Sequence, residues 1–152
     1  MFVFHIYTVF EFTLISIFYI KVISNPKITS LIVGLILLFL IVATFDFLKK
    51  IKHLDDFSTT TESIIVMLYA VFGYFLLLKN PVQTRVISIP LFWFNTAFLL
   101  YFAGSLFLFI FGNFIQHHYK KGVFHEIWAI HSVMGLTLYI LISIGFWKTK
   151  AR

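Results

Sequence analysis

The chain contains no cysteine, only three prolines and seven glycines in 152 residues, and just 12% of its residues are charged. Without cysteine there is no disulfide, no thiolate nucleophile and no cysteine-held metal, and the redox compartment is not encoded. No low-complexity linker, internal repeat or second domain interrupts the chain, so it reads as one domain over residues 1–152. The scarcity of charge excludes a soluble domain. What is there instead is 61% hydrophobic and 20% aromatic, with 21 phenylalanines, more apolar surface than a soluble fold of this length hides.

The net charge of +6 does not point to nucleic acid, because every Lys and Arg lies between or beyond the apolar runs and no basic helix face is visible. Five such runs stand out, at residues 2–20, 31–48, 62–78, 89–115 and 125–147. Each is near the ~20 residues that cross a ~30 Å hydrocarbon core. The runs are too long and too continuous for barrel strands. The expected fold is therefore all-α, a polytopic membrane bundle of about five transmembrane helices, with the lipid bilayer as its first partner. Helix punctuation agrees: Asn25-Pro26 closes the first connection, Pro90 stands in the opening turn of the fourth run, and Thr59 with Glu62 has capping-box spacing. The first run has no basic leader and no small-residue cleavage site, so it reads as a span. Its abrupt start suggests that helices precede it.

Orientation follows from the basic residues. With the N-terminus outside, the inner side holds Lys21, Lys27, Lys79, Arg85, Lys148, Lys150 and Arg152, seven against the five of Lys49, Lys50, Lys52, Lys120 and Lys121. Asp46, Asp55, Asp56, Glu62 and Glu126 all fall on the outer side, with or near the six histidines. The expectation is N-terminus outside and C-terminus cytoplasmic in a bacterial inner membrane, with Trp147 at the interface.

Glu11 is the residue that this architecture must explain. Ten residues of helix put it ~15 Å below Met1, near the bilayer midplane. An ionised acid there costs roughly 3 kcal/mol on insertion scales. The twelve Phe, Ile, Leu and Val residues of the run return about 0.3–0.6 kcal/mol each, so the helix still inserts. Glu11 should then face the bundle, protonated or hydrogen-bonded. Depth matching offers Tyr101, ~16 Å past Pro90, as a donor, and Tyr7 shares the face of Glu11. His5 and His131 match in depth near the outer leaflet. Asn95 and Asn113, five turns apart, share one face of the fourth helix.

The residues left open as binding candidates are Glu11, Tyr101, His5, His131, Asn95 and Asn113. Each also has a plainer role: a structural carboxyl, interfacial or packing histidines, and helix–helix glue with Gly104, Gly112, Ala97 and Ala103 nearby. A bis-histidine haem would need His5 and His131 to face each other. In "HHYKKGVFHE" the adjacent His117 and His118 cannot share a helix face, so no metal is expected. No cofactor and no catalytic residue emerges, and the chain is not expected to be an enzyme.

The stretches "HIYTVFEF", "PLFWFNTAFLLYFAGSLFLFIFGNFI" and "EIWAIHSVMGLTLYILISIGFWK" resemble a group of uncharacterised multi-pass inner-membrane proteins of Bacteroidota, similar to the membrane portion of sensor histidine kinases. The resemblance implies about two further helices before residue 1, a cytoplasmic C-terminus and a separate signalling partner; it carries over no catalytic residue. Two functional classes follow. One is a sensory or signalling-accessory membrane module, and the other a structural or assembly subunit of a membrane complex. A small carrier or haem-binding redox protein ranks third.

Overall fold

In hydrocarbon every backbone N–H and C=O must be bonded within the protein, and a helix does this inside one segment. The computed structural model describes residues 2–23, 25–49, 56–79, 85–118 and 121–150; the side chains of 2–4, 49, 56, 109–118 and 121–127 lie outside the description. Five helices result: α1 (Phe2–Ile23), α2 (Pro26–Lys49), α3 (Asp56–Lys79), α4 (Pro90–His118) and α5 (Lys121–Lys150). All five are long and apolar enough to cross a membrane, and the chain is an all-α membrane bundle.

The helix ends are made locally. The Asn25 side chain accepts the Lys27 N–H at 3.0 Å, its carbonyl accepts the Thr29 N–H at 2.8 Å, and Pro26 fills the first helical position, where a missing N–H is harmless. This starts α2 five residues before the apolar run at 31–48. Ahead of α4 a 3₁₀ turn, Val86–Ser88, is pinned by the Trp93 indole N–H on the Ile87 carbonyl at 2.8 Å, and Pro90 again opens the helix. The expected helix start is corrected: α3 begins at Asp56, so Thr59 sits inside the first turn rather than at the cap, and Ser58 in that turn is supported by Asp46. The outer ends of α4 and α5 likewise run past 89–115 and 125–147, because flanking polar residues continue a helix that the apolar count alone truncates.

Successive helices alternate in direction, so α1, α3 and α5 begin at one end of the bundle, called the upper end here. α1 packs on α2 and α3, α4 lies between α3 and α5, and α5 rests chiefly on α4. Lipid tails are as apolar as leucine, so close shape fit rather than water exclusion joins these helices. Aromatic rings provide much of it. Phe12 meets Phe39 of α2 at 4.2 Å between centroids, Tyr19 meets Tyr69 of α3 at 5.3 Å, and Phe18 lies edge-on to Phe94 of α4 at 5.1 Å. Small residues let backbones approach, with Ala70, Gly73 and Ala97 buried at the α3–α4 contact. Leu, Ile, Val and Phe cover the outer faces, as a surface against acyl chains requires.

Two glycines separate close fit from slack. A Cβ on Gly73 would stand 2.5–2.8 Å from the amide group of Asn95, whereas one on Gly104 would meet the Sδ and Cε of Met134 at 2.5 and 2.7 Å. Asn95 is fully buried and hydrogen-bonded; Met134 is a flexible thioether. Gly73→Ala should therefore destabilise the bundle by about 1–3 kcal/mol, and Gly104→Ala by less than ~1 kcal/mol, as read from unfolding of the detergent-solubilised protein. Equal losses would contradict this packing.

Candidate functional site

Polar side chains inside the bundle fall into three layers. At the upper end, Asp46 of α2 turns inward and is buried. Its Oδ2 accepts the Ser58 N–H at 3.2 Å and the Ser58 hydroxyl at 2.9 Å, so a carboxylate from one helix satisfies an otherwise unpaired donor in the first turn of the next. Glu62, one turn deeper on α3, is only 3% exposed, and His5 and Thr8 of α1 are buried as well. His5 packs edge-on against Phe47 of α2, with centroids 5.4 Å apart. His131 is held elsewhere: its Nδ1 is 3.0 Å from the Ser105 hydroxyl of α4, and its ring lies between Tyr101 and Trp128 at 5.6 and 5.3 Å. Of the two histidines expected to match in depth, His5 thus packs at the α1–α2 contact and His131 at the α4–α5 contact.

The middle layer contains Glu11. It is half-buried, and the phenol of Tyr7, one turn earlier on α1, stands beside its carboxyl group. Phe18, two turns along the same face, packs on Phe94 and Phe98 of α4, which turns this face of α1 toward α4. There Tyr101 lies within electrostatic reach of both Glu11 and Glu62. The Tyr101 ring borders Gly135 of α5, 4.0 Å from where a Cβ would stand. Tyr139, one turn further along α5, faces Tyr7. Glu11 thus stands beside the Tyr7 phenol, with Tyr101 of α4 in electrostatic reach and Tyr139 of α5 against Tyr7. Tyr101 and Tyr7 are legible from depth and helical spacing; Tyr139 and Glu62 are missed, because placing them requires knowing how α5 and α3 are rotated.

The lower layer is made by a residue foreseen as helix glue. Asn95 of α4 is fully buried, and its Oδ1 accepts the Tyr19 hydroxyl of α1 at 2.7 Å. Its Nδ2 is buried without a hydrogen-bond partner among the described residues, and the buried Ser16 and Tyr69 hydroxyls lie beside each other. Below them the Thr96 hydroxyl donates to the Phe92 carbonyl at 2.7 Å, so its 2.6 Å contact with the Tyr74 hydroxyl has tyrosine as donor. Asn113 lies in α4 with its side chain outside the described residues, as do those of Gly112, His117 and His118, and the notion of one Asn95–Asn113 face stays with the sequence. Ala103, expected at a close approach, is exposed. Among the described residues no three His, Asp or Glu side chains converge in a way that holds a metal.

These features define the class: a multi-pass integral membrane protein whose polar groups are concentrated inside a five-helix bundle and which contacts the lipid bilayer with the rest. No protein-family profile, curated protein or solved structure matches the chain.

The Tyr19–Asn95 bond fastens α1 to α4. Tyr19→Phe should lower stability by about 0.6–1.7 kcal/mol, the range of interhelical hydrogen bonds in bilayers, measured by unfolding in mixed micelles. An unchanged midpoint would show that the bond adds nothing to the native state.

Proposed function

We propose that the protein is a sensory or signalling-accessory module of a bacterial inner membrane. The observation that carries this reading is the Glu11, Tyr7, Tyr101 and Tyr139 cluster at the only place where α1, α4 and α5 bring polar groups together among the described residues. α1 is anchored by buried rings and by Asn95; α5 rests on α4 and buries only Leu138 and Gly145 of its described residues. A change of charge or occupancy at Glu11 therefore acts between α1, which packs on several helices, and α5, which packs chiefly on α4. α5 leads directly into the basic C-terminal segment with Lys148 and Lys150 in its last turn, where a movement can be read by a partner. The likeness to sensor-kinase membrane portions fits this reading.

The chain has no cysteine, so labels can be placed at will. Phe10 and Leu136 are 65% and 60% exposed on α1 and α5, and spin labels on Phe10→Cys and Leu136→Cys report the distance between these helices. Glu11→Gln, which fixes the neutral form, should shift that distance by about 1–2 Å, the size of helix shifts in switching proteins. An unchanged distance distribution would defeat the sensory reading.

A second reading, a structural or assembly subunit, draws on the bare surface of α5, where Val133, Leu136 and Tyr139 are each at least 60% exposed. It expects Glu11→Gln to be silent and Glu11→Leu to weaken assembly. Orientation with the N-terminus outside belongs to the sensory reading, since it puts His5, Asp46 and Glu62 toward the exterior. A membrane-impermeant maleimide should then label Phe57→Cys and spare Ser88→Cys in intact cells; the reverse pattern would invert the orientation.

A further inference from the structure

A groove of about 450 Å³ runs between α1 and α2. Phe10 and Thr13 line it from α1, Ala43 and Thr44 from α2, and His5 meets Phe47 at its upper end, with ring centroids 5.4 Å apart. Ala43 is buried and makes the floor, whereas Phe10 is 65% exposed and makes the rim. The groove therefore opens toward acyl chains, and what enters it is dissolved in the bilayer.

Two contacts fix how these antiparallel helices are aligned. His5 lies against Phe47 and Phe12 against Phe39, which sets Val9 of α1 level with Ala43 of α2. A helical side chain leans toward the N-terminus of its own helix, so Thr13 leans up, Thr44 leans down, and both hydroxyls converge on this one stretch. Thr13 Oγ1 donates to the Val9 carbonyl and Thr44 Oγ1 to the Leu40 carbonyl, each at 2.7 Å. With their hydrogens committed, the two oxygens have only acceptor lone pairs to offer; donating into the groove would break a bond already made. His5 donates or accepts according to its tautomer and does not discriminate. The stretch lies roughly 13 Å along α1, inside the hydrocarbon, where no water offers a ligand hydroxyl another acceptor.

We propose that the α1–α2 groove binds a membrane-dissolved phenol, an alkylphenol or a hydroquinone with a hydrocarbon tail, whose hydroxyl donates to the threonine oxygens and whose ring packs among Phe10, Ala43 and Phe47. An acyl chain would fill the space and leave both oxygens unused. A carbonyl or ether of the same shape would bring an acceptor to acceptors. Ring-on-ring contact with Phe10 and Phe47 favours an aromatic over an aliphatic alcohol. Glu11 takes no part, so the test is independent of the sensory reading.

The probe is 4-dodecylphenol with a diazirine on its tail, irradiated with the full chain in phosphatidylcholine nanodiscs and its adducts mapped by mass spectrometry. Adducts should concentrate on residues 5–13 and 40–47. Unlabelled 4-dodecylphenol should displace the probe about three- to fifteenfold better than its methyl ether, 4-dodecylanisole, the range of one hydrogen bond in a bilayer. Thr13→Val combined with Thr44→Val should bring the two competitors level. Thr13 is half-buried and Thr44 exposed, and valine keeps the branched shape, so the unfolding midpoint should not fall. Adducts spread evenly over the lipid-facing surface, equal competition by phenol and ether, a phenol preference that survives both valines, or equal competition by hexadecanol would each overturn the proposal.

Discussion

A polar group placed in hydrocarbon has to find its partner within the protein, and the whole arrangement of this bundle answers that constraint. It fixes the secondary structure, since only the helix closes its backbone hydrogen bonds inside one segment. It also fixes which way the helices are turned. Asp46 reaches Ser58, Tyr19 reaches Asn95, Tyr74 reaches Thr96, and Glu11 stands beside Tyr7 with Tyr101 in electrostatic reach. Several other serine and threonine hydroxyls bond back to the carbonyl four residues earlier, as Thr13 does to Val9 and Thr44 to Leu40.

The same constraint gives the bundle two kinds of helix contact. Where α1 meets α2, α3 and α4, phenylalanine and tyrosine rings interlock around Phe12, Tyr19 and Phe102, all nearly inaccessible. Gly73 is spent on admitting the Asn95 amide. Against α5 the fit is made by adaptable or small groups instead: Met134 on Gly104, and Phe94 against Gly145 with ring atoms 3.0 Å from where a Cβ would stand. Glu11 lies where these two kinds of contact meet.

How far the sequence discloses this depends on the range of each interaction. Bilayer thickness sets a length, so five spans are legible from apolar runs, and Asn25-Pro26 announces its helix because the cap uses adjacent residues. The capping box was misplaced because α3 starts at Asp56 and its first turn is supported by Asp46, twelve residues back on another helix. Depth alone brings Tyr101 to Glu11, since rise per residue is constant. Rotation about a helix axis is not legible when every face is apolar, and so Tyr139, Glu62 and the Tyr19–Asn95–Gly73 contact were missed. Depth likewise matches His5 to His131, while the Phe47 contact of one and the Ser105 contact of the other depend on helix rotation.

The central claim is that the Glu11 carboxyl group is turned into the bundle toward the Tyr101 phenol. A double-mutant cycle between Glu11→Gln and Tyr101→Phe, measured by unfolding in mixed micelles, addresses it directly. The account gives a coupling of about 0.5–1.5 kcal/mol between the two positions. Strictly additive effects would mean that the two side chains do not sense each other, and would contradict it.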